Sequence, residues 1–404
     1  MSSRISIGQQ LGPFLIALYP LAFIPGTEAG YMYGIIAASI MLLTMPYSKA
    51  WPPGIVAISL VYSLLAIFAL FPVYWAYDKE FTLLTGFLSM IPLGLILTIP
   101  LWNYRQITIF ISAFYLVGAV TVLWALGDVL SVVLSHDFVN YQKIRSDAYF
   151  SRPTMLSTFL FIFVVLQVGF MAEARKAGIS MIRSPVKNFQ LPLLILSVIA
   201  LISTLTKKDI LAFAIVSTIY SMRRFGFAKF IVGVLATVIG GGLIAYFGKF
   251  SPLMKLFRIR ENMFETGSRG ILWQSSLEAI QEYPLFGMGA GAWDLFLPTY
   301  NEGLSYGGPH NSLIQIAGEY GIIALTVYIV FLLLLGWYLR LMMKNQPGPL
   351  VVAATMAYIG FIVIELFSNP ILFGWTNRTY WAWMIIALGF AEHGLRSRML
   401  LVLK

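Results

Sequence analysis

Few side chains in this sequence can do chemistry, and their placement is informative. Cysteine is absent, which excludes disulfides, thiol nucleophiles and cysteine metal sites. The three histidines are His136, His310 and His393, too few for a histidine-rich metal centre. His310 follows the break Gly307-Gly308-Pro309 and precedes Asn311 and the apolar run Ser312-Leu313-Ile314. This spacing predicts a rigid entry, a histidine at a helix start and Asn311 as its cap. An imidazole there can accept a proton near neutral pH, or it can be purely structural.

A second group lies upstream. Ser268-Arg269-Gly270-Ile271-Leu272-Trp273 opens a stretch whose apolar positions, Ile271, Leu272, Leu277 and Ile280, have loose helical spacing over 270–282. It predicts a helix at a membrane surface that ends at Tyr283-Pro284. Next come Gly287, Gly289 and Gly291 at alternate positions. These glycines permit positive φ or close backbone approach. They form either a tight turn on an apolar surface or a backbone that approaches a ligand. No strand precedes them, so they are not a dinucleotide fingerprint.

The elements that must carry these residues follow from composition. Of 404 residues, 59% are hydrophobic and 11% charged, with mean hydropathy +0.82. Soluble domains average about 25% charged residues, so lipid must be part of the solvent. A cytosolic enzyme, a DNA-binding protein and a disordered chain are excluded. About twelve stretches approach the roughly 20 apolar residues of a transmembrane helix. They are roughly 10–26, 29–47, 54–76, 81–101, 106–126, 153–172, 189–206, 209–222, 230–248, 313–338, 349–368 and 379–395. The first reads as an uncleaved helix, since no small-residue cleavage site follows it. With the N-terminus inside, every short inner loop is basic and the outer side is close to neutral, as the positive-inside rule requires. The net charge of +10 is therefore mainly topology, and no nucleic-acid partner is expected. The expectation is an all-α integral membrane protein, one membrane domain over 1–404. Two long outer loops stand out, about 127–152 and a main, partly helical one about 249–312; long loops are usually functional.

Arg269 with Trp273, then Tyr283-Pro284-Leu285-Phe286-Gly287-Met288-Gly289, then His310-Asn311-Ser312-Leu313 with Glu319 and Gly321, stand in an order that resembles the O-antigen ligase and polymerase family of bacterial inner membranes. The detailed likeness covers about 269–330. It implies a multi-pass glycosyltransferase of the GT-C type in the inner membrane, with its active site facing the periplasm. The donor would be a glycan on undecaprenyl diphosphate, and membrane lipids would surround both substrates. A ligase would use lipid A–core as acceptor in lipopolysaccharide biosynthesis. A polymerase would use another carrier-linked repeat unit. The modest length and single dominant outer loop favour the ligase. A solute transporter would gather polar groups at midplane, and a non-catalytic scaffold would not need the histidine with its basic residues.

Such a donor needs cations on the departing diphosphate and a base or acceptor for the attacking hydroxyl. His310 and Arg269 are the implied catalytic residues. Arg152, Lys207, Lys208 and Arg269 are the implied diphosphate and glycan ligands. Lys207-Lys208-Asp209 runs against the positive-inside bias in an outer turn, so a compensating role is expected. It stands where the family carries an arginine, and either lysine can take that place. No dense acidic cluster or DxD motif accompanies these cations, so no metal and no cofactor is expected. Glu319, nine residues after His310, would lie on the opposite side of a straight helix and is expected to pack or anchor a loop. Glu365 is an intramembrane acid without an assigned role. Trp273, Trp293 and Tyr306 are either interfacial anchors or sugar-stacking platforms.

Overall fold

The computed structural model describes residues 7–23, 51–135, 148–173, 185–228, 231, 267–293 and 308–402, apart from 53, 77, 149, 151, 346 and 375–376. The described residues are helices and connecting turns, with no strand among them. Five stretches are long and apolar enough to cross a membrane: Ile55–Tyr74, Lys79–Leu101, Tyr104–Ser131, Pro153–Ala172 and Ser312–Asn345. Shorter apolar helices are Gln10–Leu21, Lys187–Ser203 and Pro349–Glu365. The expected span 29–47 lies outside the described residues, as do the span expected at 230–248, apart from residue 231, and the part of the main loop before residue 267.

The α-helices are numbered here α1 (Ile7–Leu18), α2 (Ile55–Leu70), α3 (Lys79–Leu88), α4 (Ile91–Thr98), α5 (Tyr104–Ser135), α6 (Pro153–Glu173), α7 (Gln190–Ser203), α8 (Lys207–Phe225), α9 (Gly267–Glu282), α10 (Ser312–Asn345), α11 (Pro349–Glu365) and α12 (Asn377–Val402). Two differ from the hydropathy reading. The 81–101 stretch is two helices, because Pro92 sits in the first turn of α4 and cannot extend α3, lacking an N–H for its ladder. Tyr62 Oη donates to the Ser89 carbonyl at this break, 3.0 Å away. Helix α5 runs on to Ser135, so the first part of the expected 127–152 loop is helical.

Helix α6 is the centre of the bundle. In its apolar window 78% of residues are buried, against 28% for α10, and Leu156 through Leu166 are all inaccessible or nearly so. Its sequence is apolar on all sides, as an interior helix requires. Phe159 packs on Phe150 and Trp381, with ring centroids 5.7 and 5.8 Å away. Helices α7, α8, α11 and α12 surround α6. At one end of the bundle lie the starts of α6, α8, α10 and α12 with the end of α11. At the other, Glu392 accepts hydrogen bonds from the free N–H groups of Leu350 (2.8 Å) and Val351 (3.1 Å) at the start of α11 and pairs with Arg396 at 3.3 Å.

Candidate active site

His310 sits in a corner fixed from both sides. Its φ is +51° and that of Gly308 is +131°. A non-glycine residue in the left-handed region is uncommon and is held there by its surroundings. Asn311 caps α10 as the sequence suggests: its Oδ1 accepts from the N–H of Leu313 (3.0 Å) and Ile314 (3.2 Å). Its Nδ2 donates to the Leu366 carbonyl, 3.2 Å away. Ser312 Oγ donates to the Ser368 carbonyl at 2.9 Å. On the other side, Trp273 Nε1 of α9 donates to the Pro309 carbonyl at 3.0 Å. Arg269 lies one turn before Trp273 on the same helix, about 6 Å along its axis. The chain thus brings the Arg269 helix to the His310 corner; the Arg269 side chain lies outside the described residues. His136 and Tyr306 lie outside them too.

Two basic residues, Lys208 and Arg378, converge on the connection between α11 and α12. Lys208 Nζ donates to Ser368 Oγ at 2.5 Å, and Arg378 Nη1 donates to the same oxygen at 2.8 Å. Of the two candidate lysines, Lys208 is the one turned to this oxygen, while Lys207 is exposed. Buried Asp209 accepts from Ser157 Oγ (2.9 Å) and Thr158 Oγ1 (3.0 Å), which lock the start of α8 to α6. Arg152, exposed at the start of α6, is close enough for its charge to act on Arg378, as do Asp209 and Glu365. Phe150, buried edge-on against Trp381 with centroids 5.5 Å apart, fixes the chain just before Arg152.

Arg378 and Ser368 were not singled out from the sequence. One signal was available: Arg378 falls in a turn that the hydropathy reading assigns to the outer side, against the same bias that marks Lys207 and Lys208. Ser368 carries no such mark.

Glu365 has a structural task. Its Oε1 accepts from the N–H of Ile371 (2.6 Å) and Leu372 (2.7 Å), and its Oε2 accepts from Tyr328 Oη (2.5 Å). It therefore ties the 366–372 turn, with Ser368 in it, to α10 and α11.

The three alternate glycines approach protein. Helix α10 breaks at Gly321, φ +85° and ψ 172°. The backbone groups released there bond to the turn after α9: Met288 N–H to the Gly318 carbonyl (2.9 Å), Gly289 N–H to the Glu319 carbonyl (3.0 Å) and Ile322 N–H to the Pro284 carbonyl (2.8 Å). Such backbone contact leaves no room for side chains. A Cβ on Gly287 would lie 2.4 Å from the Glu319 oxygen, and one on Gly321 would lie 2.0 Å from the Leu285 oxygen. Gly289 and Gly291 press on Ala76 and Phe81 of the α2–α3 corner. Trp75 Nε1 donates to the Gly287 carbonyl there at 2.8 Å. The tight-turn reading of these glycines holds. Glu319 is the loop anchor expected of it, through its carbonyl and through a carboxylate that accepts from Gln315 Nε2 at 2.9 Å. Trp293 is fully buried against Gly318 and belongs to the core.

Residues 192–329 match a family model described as O-antigen ligase. No curated protein matches the chain. The matched segment includes Lys207, Lys208, Arg269 and His310; Arg152, Ser368 and Arg378 lie outside it. Over residues 192–329, which hold the lysine turn, the α9 helix and the histidine corner, the chain is similar to the O-antigen ligase family.

Proposed function

We propose that this protein is a ligase that transfers a glycan from undecaprenyl diphosphate to lipid A–core at the periplasmic face of a bacterial inner membrane. One observation carries the reading: the His310 corner is fastened at Pro309 to the Arg269 helix and at Ser312 to the Ser368 turn, where Lys208 converges. In this reading His310 is the proton acceptor, and Arg269 and Lys208 supply positive charge on its two sides. A transfer from a lipid diphosphate needs that arrangement.

In this mechanism the cations hold the diphosphate and stabilise the charge it gains as the glycosidic C–O bond breaks. Neutral His310 accepts the proton of the acceptor hydroxyl, or orients that hydroxyl, as its oxygen bonds the anomeric carbon. Attack opposite the leaving group inverts the anomeric centre, since no carboxylate pair suited to double displacement lies beside His310 among the described residues. The reaction needs no metal. With the N-terminus inside, the nine expected spans before His310 would place it on the periplasmic side.

The test incubates purified protein with carrier-linked glycan and either lipid A–core or more carrier-linked glycan. Glycosylated lipid A–core with an inverted linkage is the expected product. Lengthened carrier-linked chains alone would make the protein a polymerase, and a retained configuration would exclude single displacement.

A further inference from the structure

Between α6, α7, α8 and α11 lies a cavity of about 230 Å³ that the proposed reaction does not use. It reaches toward the end of the bundle opposite His310, following α8 from Phe213 to Phe225. That run is about 18 Å long at 1.5 Å per residue, close to the depth of one leaflet of a hydrocarbon core about 30 Å thick. Val168 of α6, Leu194 and Val198 of α7 and Met356 of α11 wall it with apolar groups. The α8 face that lines it changes character along its length. Phe213 comes first, then Ser217, Tyr220 and Ser221, at the i, i+4, i+7 and i+8 spacing of one helix face. Arg224 holds the i+11 position that continues this face; its side chain lies outside the described residues. Arg223 beside it is exposed, as is Lys187 just before α7. A short turn joins α7 and α8 at their other ends, so Lys187 and Arg223 stand at the same end of the pair. The 173–187 stretch between α6 and α7 holds one acid, Glu173, against Arg175, Lys176, Arg183 and Lys187. Exposed Phe189, Phe225 and Phe227 mark this end as a membrane interface. Topology accounts for basic residues at this end, but not for a cavity that leads to them.

Apolar wall, hydroxyl donors and cations follow one another in the order in which a glycerophospholipid presents acyl chain, ester carbonyls and phosphate. We infer that this cavity binds an acyl chain of an anionic glycerophospholipid from the leaflet at the Glu392 end, which is the cytoplasmic leaflet in the positive-inside orientation. The chain lies against Phe213, Val198 and Met356. Ser217 and Ser221 donate to the ester carbonyls, and Arg223 with Lys187 attracts the phosphate and the net negative headgroup. A polyprenyl carrier fits less well. Its tail has no carbonyl for the hydroxyls, and in the proposed reaction its diphosphate sits at the Lys208 end of α8. The assignment does not depend on the transfer reaction.

The experiment equilibrates the full-length protein, in a neutral detergent, with dioleoyl phosphatidylglycerol, dioleoyl phosphatidylethanolamine or undecaprenol and reads bound lipid by native mass spectrometry. The wild type should hold phosphatidylglycerol more tightly than phosphatidylethanolamine and lose that preference at high salt. Ser217→Leu fills the cavity without changing charge and should lower retention of both phospholipids. Ser221→Leu repeats that test nearer the Arg223 end if the first variant fails to fold. Arg223→Gln with Arg224→Gln leaves the apolar walls unchanged. It should weaken phosphatidylglycerol binding by about tenfold, the scale of two basic residues lost at an anionic headgroup, and leave phosphatidylethanolamine binding as it was. Three results would each overturn the assignment. Full retention in the leucine variants would place the lipid elsewhere. Equal wild-type affinity for the two phospholipids would remove the anionic headgroup. Tighter binding of undecaprenol, lost in the leucine variants, would give the cavity to a polyprenyl chain.

Discussion

His310 is the residue on which the proposed chemistry turns, and its backbone is set by contacts on both sides. General-base assistance is typically worth about 10²–10⁴-fold. His310→Ala is therefore expected to insert, fold and bind donor, yet to transfer glycan at least about a hundredfold more slowly. Only a neutral imidazole accepts a proton, so wild-type transfer should slow as the medium is made acidic. A fully active alanine variant would remove the base role. Arg269, one turn from the tryptophan that holds the histidine corner, should act through charge. Arg269→Ala is expected to cost more than about 2 kcal/mol of transition-state stabilisation. Arg269→Lys should recover part of that and lose the fork geometry. Unchanged kcat/KM in the alanine variant, at normal membrane levels, would exclude Arg269 from the site.

At the scale of elements, the joint between the turn after α9 and the break in α10 transmits position to the site. Its bonds are backbone to backbone, and they exist because Gly287 and Gly321 lack side chains. Gly321→Ala combines a positive φ with a Cβ that would lie 2.0 Å from the Leu285 oxygen. The backbone conformation, in an extended positive-φ region that is essentially restricted to glycine, alone costs on the order of 1–3 kcal/mol, and the clash adds to it. The variant should unfold at lower temperature in detergent and transfer more slowly, because α9 and the α10 start lose their common anchor. An unchanged melting temperature would mean that the joint does not bear on stability. Glu365 works at the same scale: it orders the turn of Ser368 and does not face the histidine corner.

For the whole molecule, the helix ends sort into two groups. Trp75 and Thr82 of the α2–α3 corner bond to the 287–290 turn, so that corner shares the end of the bundle with His310. Tyr338 of α10 lies against Gly54 at the opposite end. The chain contains no cysteine, so single introduced cysteines report sidedness without background. If the His310 end faces the periplasm, Glu80→Cys should react with a membrane-impermeant maleimide applied from outside. Arg340→Cys, exposed near the other end, should react only after permeabilisation. The reversed pattern would invert the topology and place the chemistry in the cytoplasm.

Local signals in the sequence determined what depends on near neighbours. Apolar composition made the chain a helical membrane protein. Asn311 marked the start of α10, and the spacing of Ile271, Leu272, Leu277 and Ile280 marked α9, which stops just before Tyr283-Pro284 as the proline requires. Hydropathy alone ran across the break at Pro92 and stopped short of the end of α5, because lipid-scale apolarity and helix length are separate properties. Tertiary structure decided what depends on groups far apart in the chain. It turned Lys208 rather than Lys207 to a serine 160 residues away, and it brought Arg378 to the same oxygen. It also filled the space before the three glycines with the backbone of α10 and the α2–α3 corner. Periodicity assigns a residue to a helix face, but only packing fixes which groups that face meets, and a hydrogen bond is decided over about 3 Å.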